Sequence, residues 1–215
     1  MPTLLHIDAS PLAGASISRR LSHEFEESWK KANPEGVVVS RDLTISGLTA
    51  IDAAWIGAAY TPPASRTDEQ RDRLALSHAL IAELHQADEI VVGLPMHNFT
   101  IPANLRLWLD LVVRAGETFS YGENGPTGLL INKKATFVIA AGAVYGPGSA
   151  MESFNFVEPY LRTIFGFIGI TDTRFHVADG VALLPAKNID RDTFLNTHTE
   201  MIHASHSRPT TGVVA

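Results

Sequence analysis

The segment Gly93-Leu94-Pro95-Met96-His97-Asn98-Phe99-Thr100-Ile101-Pro102-Ala103 gathers side chains that suit a flat heterocycle. Asn98 carries two amide donors and an acceptor oxygen, a set that matches a pyrimidine-like ring edge. Met96 and Phe99 offer apolar surface for a ring face. His97 is a candidate for tuning a bound ring or assisting a proton transfer; an ordinary hydrogen-bonded surface histidine is the other reading. With backbone N–H groups along the same loop, this composition suggests a flavin.

Two further segments carry chemistry. Ser10, Ser16 and Ser18 surround Gly14, just ahead of a helical pattern. Hydroxyls and the amides of a helix N-terminus can hold a phosphate monoester without a lysine. The same serines could instead only cap the helix. The loop has no Gly-Lys-Ser/Thr and no Gly-x-Gly-x-x-Gly, which argues against a Walker A loop and against dinucleotide binding there. The third segment, Ala140-Ala141-Gly142-Ala143-Val144-Tyr145-Gly146-Pro147-Gly148, is built of small residues that let a ligand approach the backbone, or that form a surface turn.

Each of these segments follows an apolar run that reads as a strand: Leu4 to Asp8, Ile90 to Leu94 and Phe137 to Ala141. Val37 to Val39 and Arg174 to Val177 complete five strands. Between them lie helical patterns. Leu21, Phe25 and Trp29 recur at helical spacing until Asn33-Pro34-Glu35-Gly36 stops them. Thr67 and Gln70 match a capping box ahead of Leu74, Ser77, Ile81 and Leu84. Leu105 to Val113 starts after Pro102. Phe154 to Phe167 reads as a helix with Pro159 near its middle, and Asp190 to Ala204 as the last helix. Residues 44–66 show no strong period, so they predict a functional connection or short helices, with Trp55 and Tyr60 lining a pocket or packing. Thr118 to Tyr121 and Leu129 to Ile131 could pair as a hairpin arm.

Strand and helix alternate, which implies an α/β fold with a five-stranded parallel sheet and helices on both faces. All three loops then share the carboxyl edge of one sheet, where such folds bind ligands. A phosphate near the serines and a ring between the other two loops describe FMN in a flavodoxin-like fold. One domain over residues 1–206 and a disordered tail over residues 207–215 are expected.

The chain has 215 residues and a formal net charge of -6, with no basic cluster larger than two residues, which argues against nucleic acid or an anionic membrane as partner. It has no cysteine, so disulfides and thiol chemistry are excluded. No signal peptide or spanning segment is evident, and a cytoplasmic protein is expected. His198, His203 and His206 lack a carboxylate to complete a metal site, so no metal is expected.

Ser10 with Ser16-Ile17-Ser18, the run from Ala87 to Phe99, the run from Asp110 to Phe119, Glu123 to Leu129 and Gly166-Phe167-Ile168-Gly169-Ile170 together resemble the FMN-dependent NADH-azoreductases, a flavodoxin-like quinone reductase group. The likeness covers roughly residues 3–205. It implies that Ser10, Ser16, Ile17 and Ser18 hold the FMN phosphate, that Met96, His97, Asn98 and Phe99 hold the isoalloxazine, and that Ala140, Ala141, Gly142 and Ala143 lie against its other edge. Two departures stand out. His97 replaces a frequent Tyr, and Ala140 to Ala143 replaces a segment often bearing a Ser or Thr and two glycines, so altered or weaker FMN binding is expected.

The resemblance further implies a homodimer with sites at the interface, the arm around Phe119 to Tyr121 reaching toward the partner's flavin. NADH or NADPH would reduce the flavin, and quinones, azo compounds or other flat aromatics would reoxidise it by two electrons in ping-pong order. Phe99, Phe119, Tyr121 and Phe167 are the candidate slot residues. Arg66 and Arg71 are either contacts for a 2′-phosphate or surface charge. The alternatives are a flavodoxin-like electron carrier between proteins and a flavin-free binding protein whose serine loop takes another anion.

Overall fold

The apolar runs pair side by side, the three central ones buried on both faces and the two at the edges only partly covered. In chain order the elements are β1 (Thr3–Asp8), α1 (Ile17–Ala32), β2 (Val37–Asp42), α2 (Ala53–Tyr60), α3 (Asp68–Gln86), β3 (Glu89–Pro95) and α4 (Ala103–Val112). There follow β4 (Phe119–Gly122), β5 (Gly125–Gly128), β6 (Lys134–Ala140), α5 (Val157–Phe167), β7 (Asp172–Ala178) and α6 (Arg191–His206). The structure, a computed structural model, describes residues 1–206, apart from the side chains of Ser205 and His206. The expected tail, 207–215, lies outside the described residues, as does the His206 side chain.

The main sheet has the order β2-β1-β3-β6-β7 with every neighbouring pair parallel. Alternation along its strands divides the core. Leu5, Ile7, Ile90, Val92, Leu94, Phe137 and Ile139 face the layer of α3, α4 and α5, with Leu80, Leu84, Leu105, Trp108, Leu161 and Phe165 packed on them. Leu4, Val91 and Val138 face the opposite layer, against Leu21, Phe25 and Trp29 of α1 and Leu195 and Ile202 of α6. At Gly93 a Cβ would lie 2.5 Å from Ser22 Oγ, so only glycine lets α1 settle this close to β3.

One expectation, of short helices in the long second connection, is met, and two are revised. The connection 44–66 contains α2, capped by Asp52, which accepts from Trp55 N at 2.7 Å. α5 begins at Val157 rather than Phe154, so Pro159 sits in its first turn, where no intrahelical N–H is needed. The hairpin is tighter than expected: Phe119 pairs with Gly128 and Gly122 with Gly125, and the turn shrinks to Glu123-Asn124. Tertiary contact sets this register. A Cβ on Gly128 would lie 2.1 Å from Gly169 N, and Leu130 N donates to Ile168 O at 2.9 Å. Leu129 N closes the base of the hairpin on Thr118 O at 2.9 Å, and Leu130 then leaves it to meet the end of α5.

A buried polar chain fastens α1 to the sheet. His6 Nδ1 meets Glu26 Oε2 at 2.5 Å, His6 Nε2 meets Ser22 Oγ at 2.9 Å, and Ser22 Oγ donates to Asp8 Oδ1 at 3.2 Å. Burial disfavours the imidazolium, but Asp8 and Glu26 outweigh it and raise His6 to about 9. Glu26 is lowered to about 2, chiefly by its hydrogen bond to His6. A folded-state value above the ordinary 6.5 makes protonated His6 a stabilising group whose contribution is complete below pH 6.5 and fades as pH rises through about 9. Thermal unfolding of the wild type should therefore lose stability between these pH values, and H6Q should flatten that slope. Parallel pH profiles for the two proteins would refute the assignment.

Candidate functional site at the carboxyl edge of the sheet

β1 ends at Asp8, and Ala9 N still donates to Gly93 O at 2.9 Å, so the first loop leaves the sheet beside the third strand. Ser10, Ser16 and Ser18 are 1%, 3% and 0% exposed. Ser16 does cap α1, its Oγ accepting from Arg19 N at 3.2 Å. Capping does not exhaust these hydroxyls. Ser16 Oγ and Ser18 Oγ lie 3.2 Å apart and share one hydrogen, which leaves the other free to donate. Ser10 Oγ accepts from Leu12 N at 3.4 Å and keeps its own hydrogen for an acceptor. Buried donors at the positive end of a helix of 16 residues favour an oxygen-rich anion.

Arg19, the nearest cation in sequence, is spent elsewhere. Its guanidinium meets Asp42 at 2.7 and 2.8 Å and Asp8 at 3.4 Å, and its Nε donates to Ser10 O at 2.8 Å. This pairing holds the Asp42 carboxyl well below the usual carboxylate range. It fixes the loop's backbone rather than offering charge to a ligand.

The loop after β3 folds back on itself. His97 and Thr100 exchange backbone hydrogen bonds of 2.9 and 3.0 Å around Asn98 and Phe99, whose φ values are +48° and +70°. Two consecutive left-handed residues are tolerable for Asn and costly for Phe, so the turn is held by its surroundings. Met96 N donates to Ala140 O at 2.8 Å and Phe156 N to Phe99 O at 3.2 Å. The Phe99 ring packs on Phe154 at 5.2 Å and on Tyr145 at 6.5 Å. Half-buried Asn104, near the start of α4, donates from Nδ2 to Ala9 O at 2.9 Å and ties this loop to the first.

The loop after β6 is braced by the stretch beyond β7. Ala141 N donates to Ala178 O, Val181 N to Ala141 O and Ala182 N to Gly142 O, each at 3.0 Å. These three loops and that stretch enclose a cavity of about 550 Å³. It brings together Ser10, Ser16, Ile17, Ser18, Met96, His97, Ala140, Ala141 and Gly142 from the sequence reading. Asn98, Phe99 and Ala143 flank it without lining it. Sequence reasoning missed Leu12, Val181, Leu184, Pro185 and Arg191, which also line it. The stretch from 179 to 190 has no apolar period, and only Gly180 and Asn188, residue types that favour the left-handed φ they adopt, +74° and +57°, hint at deliberate turns.

The remaining slot candidates lie elsewhere in the chain. Phe119 packs on Phe167 at 4.6 Å and on Tyr121 at 5.4 Å, apart from Phe99. Phe119 lines a second cavity of about 750 Å³ together with Trp55, Tyr60, Arg114 and Tyr160. Arg66 is buried, not surface charge: its Nε donates to Ala58 O and Thr61 O, satisfying carbonyls at the end of α2. Arg71 bonds Arg66 O and Asp68.

A family of flavodoxin-like fold matches residues 2–200 of the chain. An FMN-dependent NADH:quinone oxidoreductase of Acidobacterium capsulatum is 51% identical over 195 residues, 91% of this chain and 94% of the relative. A second, from Burkholderia lata, is 50% identical over 94% of this chain and 97% of its own length. Among solved structures, an FMN-dependent NADH-azoreductase from Bacillus anthracis in complex with FMN superposes with a TM-score of 0.85 at 26% identity, covering 97% of this chain and 99% of that one.

The clasp between the first and third loops is testable. N104A leaves the Ala9 carbonyl short of a donor, and a loss of about 1–3 kcal/mol in unfolding free energy is expected. Denaturant unfolding of the two proteins would show it, and equal stability would mean that the bond contributes nothing.

Proposed function

Because the chain belongs to the flavodoxin-like fold family, matched over residues 2–200, we propose that it is an FMN-dependent oxidoreductase that takes a hydride from NADH and reduces quinones and azo compounds by two electrons. One observation carries this reading furthest. A single cavity joins buried serine hydroxyls with hydrogens to donate, at the start of α1, to an apolar slot between the ends of β3 and β6. Its volume of about 550 Å³ lies within the range of small-molecule sites. Among the described residues none that lines it is a carboxylate, which favours a phosphate there.

The residues present fit FMN. Ser10, Ser16, Ile17 and Ser18 would hold the phosphate. Met96, His97, Asn98 and Phe99 would hold one edge and face of the ring, and Ala140, Ala141, Gly142 and Ala143 the other edge. When bound, FMN supplies a two-electron carrier at its N5. The chain's own residues bind, orient and exclude water. The strained turn at Asn98 and Phe99 aims backbone groups without a glycine's mobility. The segment Ala140 to Ala143 carries no side-chain hydroxyl, so backbone contacts must serve that edge. Exposed His97 stands at the rim, where it can pass a proton to the acceptor.

Arg66 is buried with its Nε on the carbonyls of Ala58 and Thr61, which removes it as a partner for a 2′-phosphate and leaves exposed Arg71 as the remaining candidate. The relatives named for NADH support NADH as the donor. A single slot that admits nicotinamide and acceptor in turn supports a ping-pong order. A homodimer completes the slot. Tyr121 is 73% exposed on a two-stranded arm, and the second cavity beside it is lined by Ile51, Trp55, Ile56 and Tyr60. A partner covering this face would bring Phe119, Tyr121 and Phe167 toward its own Phe99 side.

The visible spectrum of the purified protein tests the main reading. Flavin bands should bleach with anaerobic NADH and return with a quinone, and initial rates should give parallel double-reciprocal lines. A protein that remains colourless after FMN is added would overturn the function, and intersecting lines would overturn the order. In sedimentation, the wild type should run at twice 23.3 kDa. Y121D should shift it toward monomer and slow quinone turnover while FMN affinity holds. A monomeric wild type with full turnover would refute the dimer.

A further inference from the structure

The cavity has a charge that the serine loop does not supply. Arg191 opens α6, yet its guanidinium reaches across to donate to the carbonyl of Ala15, immediately before the capping Ser16. Among the described residues lining the cavity, Arg191 is the one with a permanent charge, and none is acidic. Arg191 makes no ion pair among the described residues. Its neighbour Asp190 is occupied in capping α6, accepting from Thr193 N at 2.9 Å and from Thr193 Oγ1. Arg19, by contrast, is neutralised by Asp8 and Asp42. A guanidinium has five donors in a rigid fork, so one bond to Ala15 O leaves others for a ligand.

We propose that Arg191 is the charge partner of the cofactor phosphate: hinged on the Ala15 carbonyl beside Ser10, Ser16 and Ser18, it makes the site select FMN over riboflavin. This rests on the flavin reading above and assigns to α6 a role in the site. Serine hydroxyls and a helix N-terminus provide direction, and the arginine provides net charge. Tethering to Ala15 keeps that charge at the serine loop before any ligand arrives, which lowers the ordering cost of binding.

Fluorescence titration of the flavin-free full chain with FMN and with riboflavin tests the assignment. R191Q should weaken FMN binding about tenfold, the low end for a charge-assisted hydrogen bond. Riboflavin affinity should stay unchanged, and R191K should recover part of the loss. An equal loss for both flavins would overturn the proposal, because Arg191 would then act only through the loop it braces. Unchanged FMN affinity would overturn it directly. A wild type that binds neither flavin would overturn the flavin reading itself, and this proposal with it.

Discussion

The site depends on a reversal in the sheet. From β1 the chain first steps outward to β2, then returns past β1 to β3 and continues to β6 and β7. Connections leaving β1 and β3 therefore depart to opposite faces, and the crevice between them opens at the carboxyl edge. Everything in the candidate site hangs from that crevice. The serines follow β1, the strained turn follows β3, and the small-residue loop follows β6. Within that crevice α1 approaches β3 closely at Gly93, where any side chain would strike Ser22.

Charge sits beneath the loops rather than in them. Glu26, His6, Ser22, Asp8, Arg19 and Asp42 form one chain running from α1 through β1 to the end of β2. Each charge has a partner, which is what makes their partial burial tolerable. The result is a floor under Ser10 and Ser16 whose carboxylates are engaged by Arg19, His6 and Ser22. An anion site needs this separation. Asp8 lies two residues before Ser10, Asp42 is joined to Ser10 through Arg19, and unpaired both would repel a phosphate.

Aromatic surface is divided between two places. Phe99, Tyr145 and Phe154 cluster above the edge of the first cavity, while Phe119, Tyr121 and Phe167 cluster beside the second. The second cluster is pinned by the Gly128–Gly169 approach, so its position is as fixed as the core it rests on. A two-stranded hairpin has little stability alone, and this one is anchored at its base and bare at its tip.

How much of this was legible in the sequence follows the range of the interaction. The strands Leu4 to Asp8 and Ile90 to Leu94, the stop after Trp29 and the caps at Ser16 and Thr67 are set by residues within a few positions, and their patterns announced them. The fold class followed from their alternation. The loops after β1, β3 and β6 could be placed together because parallel topology leaves them no other edge. Contacts between distant residues could not be read this way. His6 looked like one more residue of an apolar strand until α1 brought Glu26 and Ser22 to it. The hairpin register was mistaken because Gly128 answers to Gly169, not to its neighbours. Arg191 and Ala15 are separated by 176 residues, and no local pattern records their meeting. Sequence by itself determined the elements and their order, because hydrogen bonding and apolar periodicity act locally. Only the tertiary structure decided which side chains share a cavity, because that depends on how the last helix closes over the first loop.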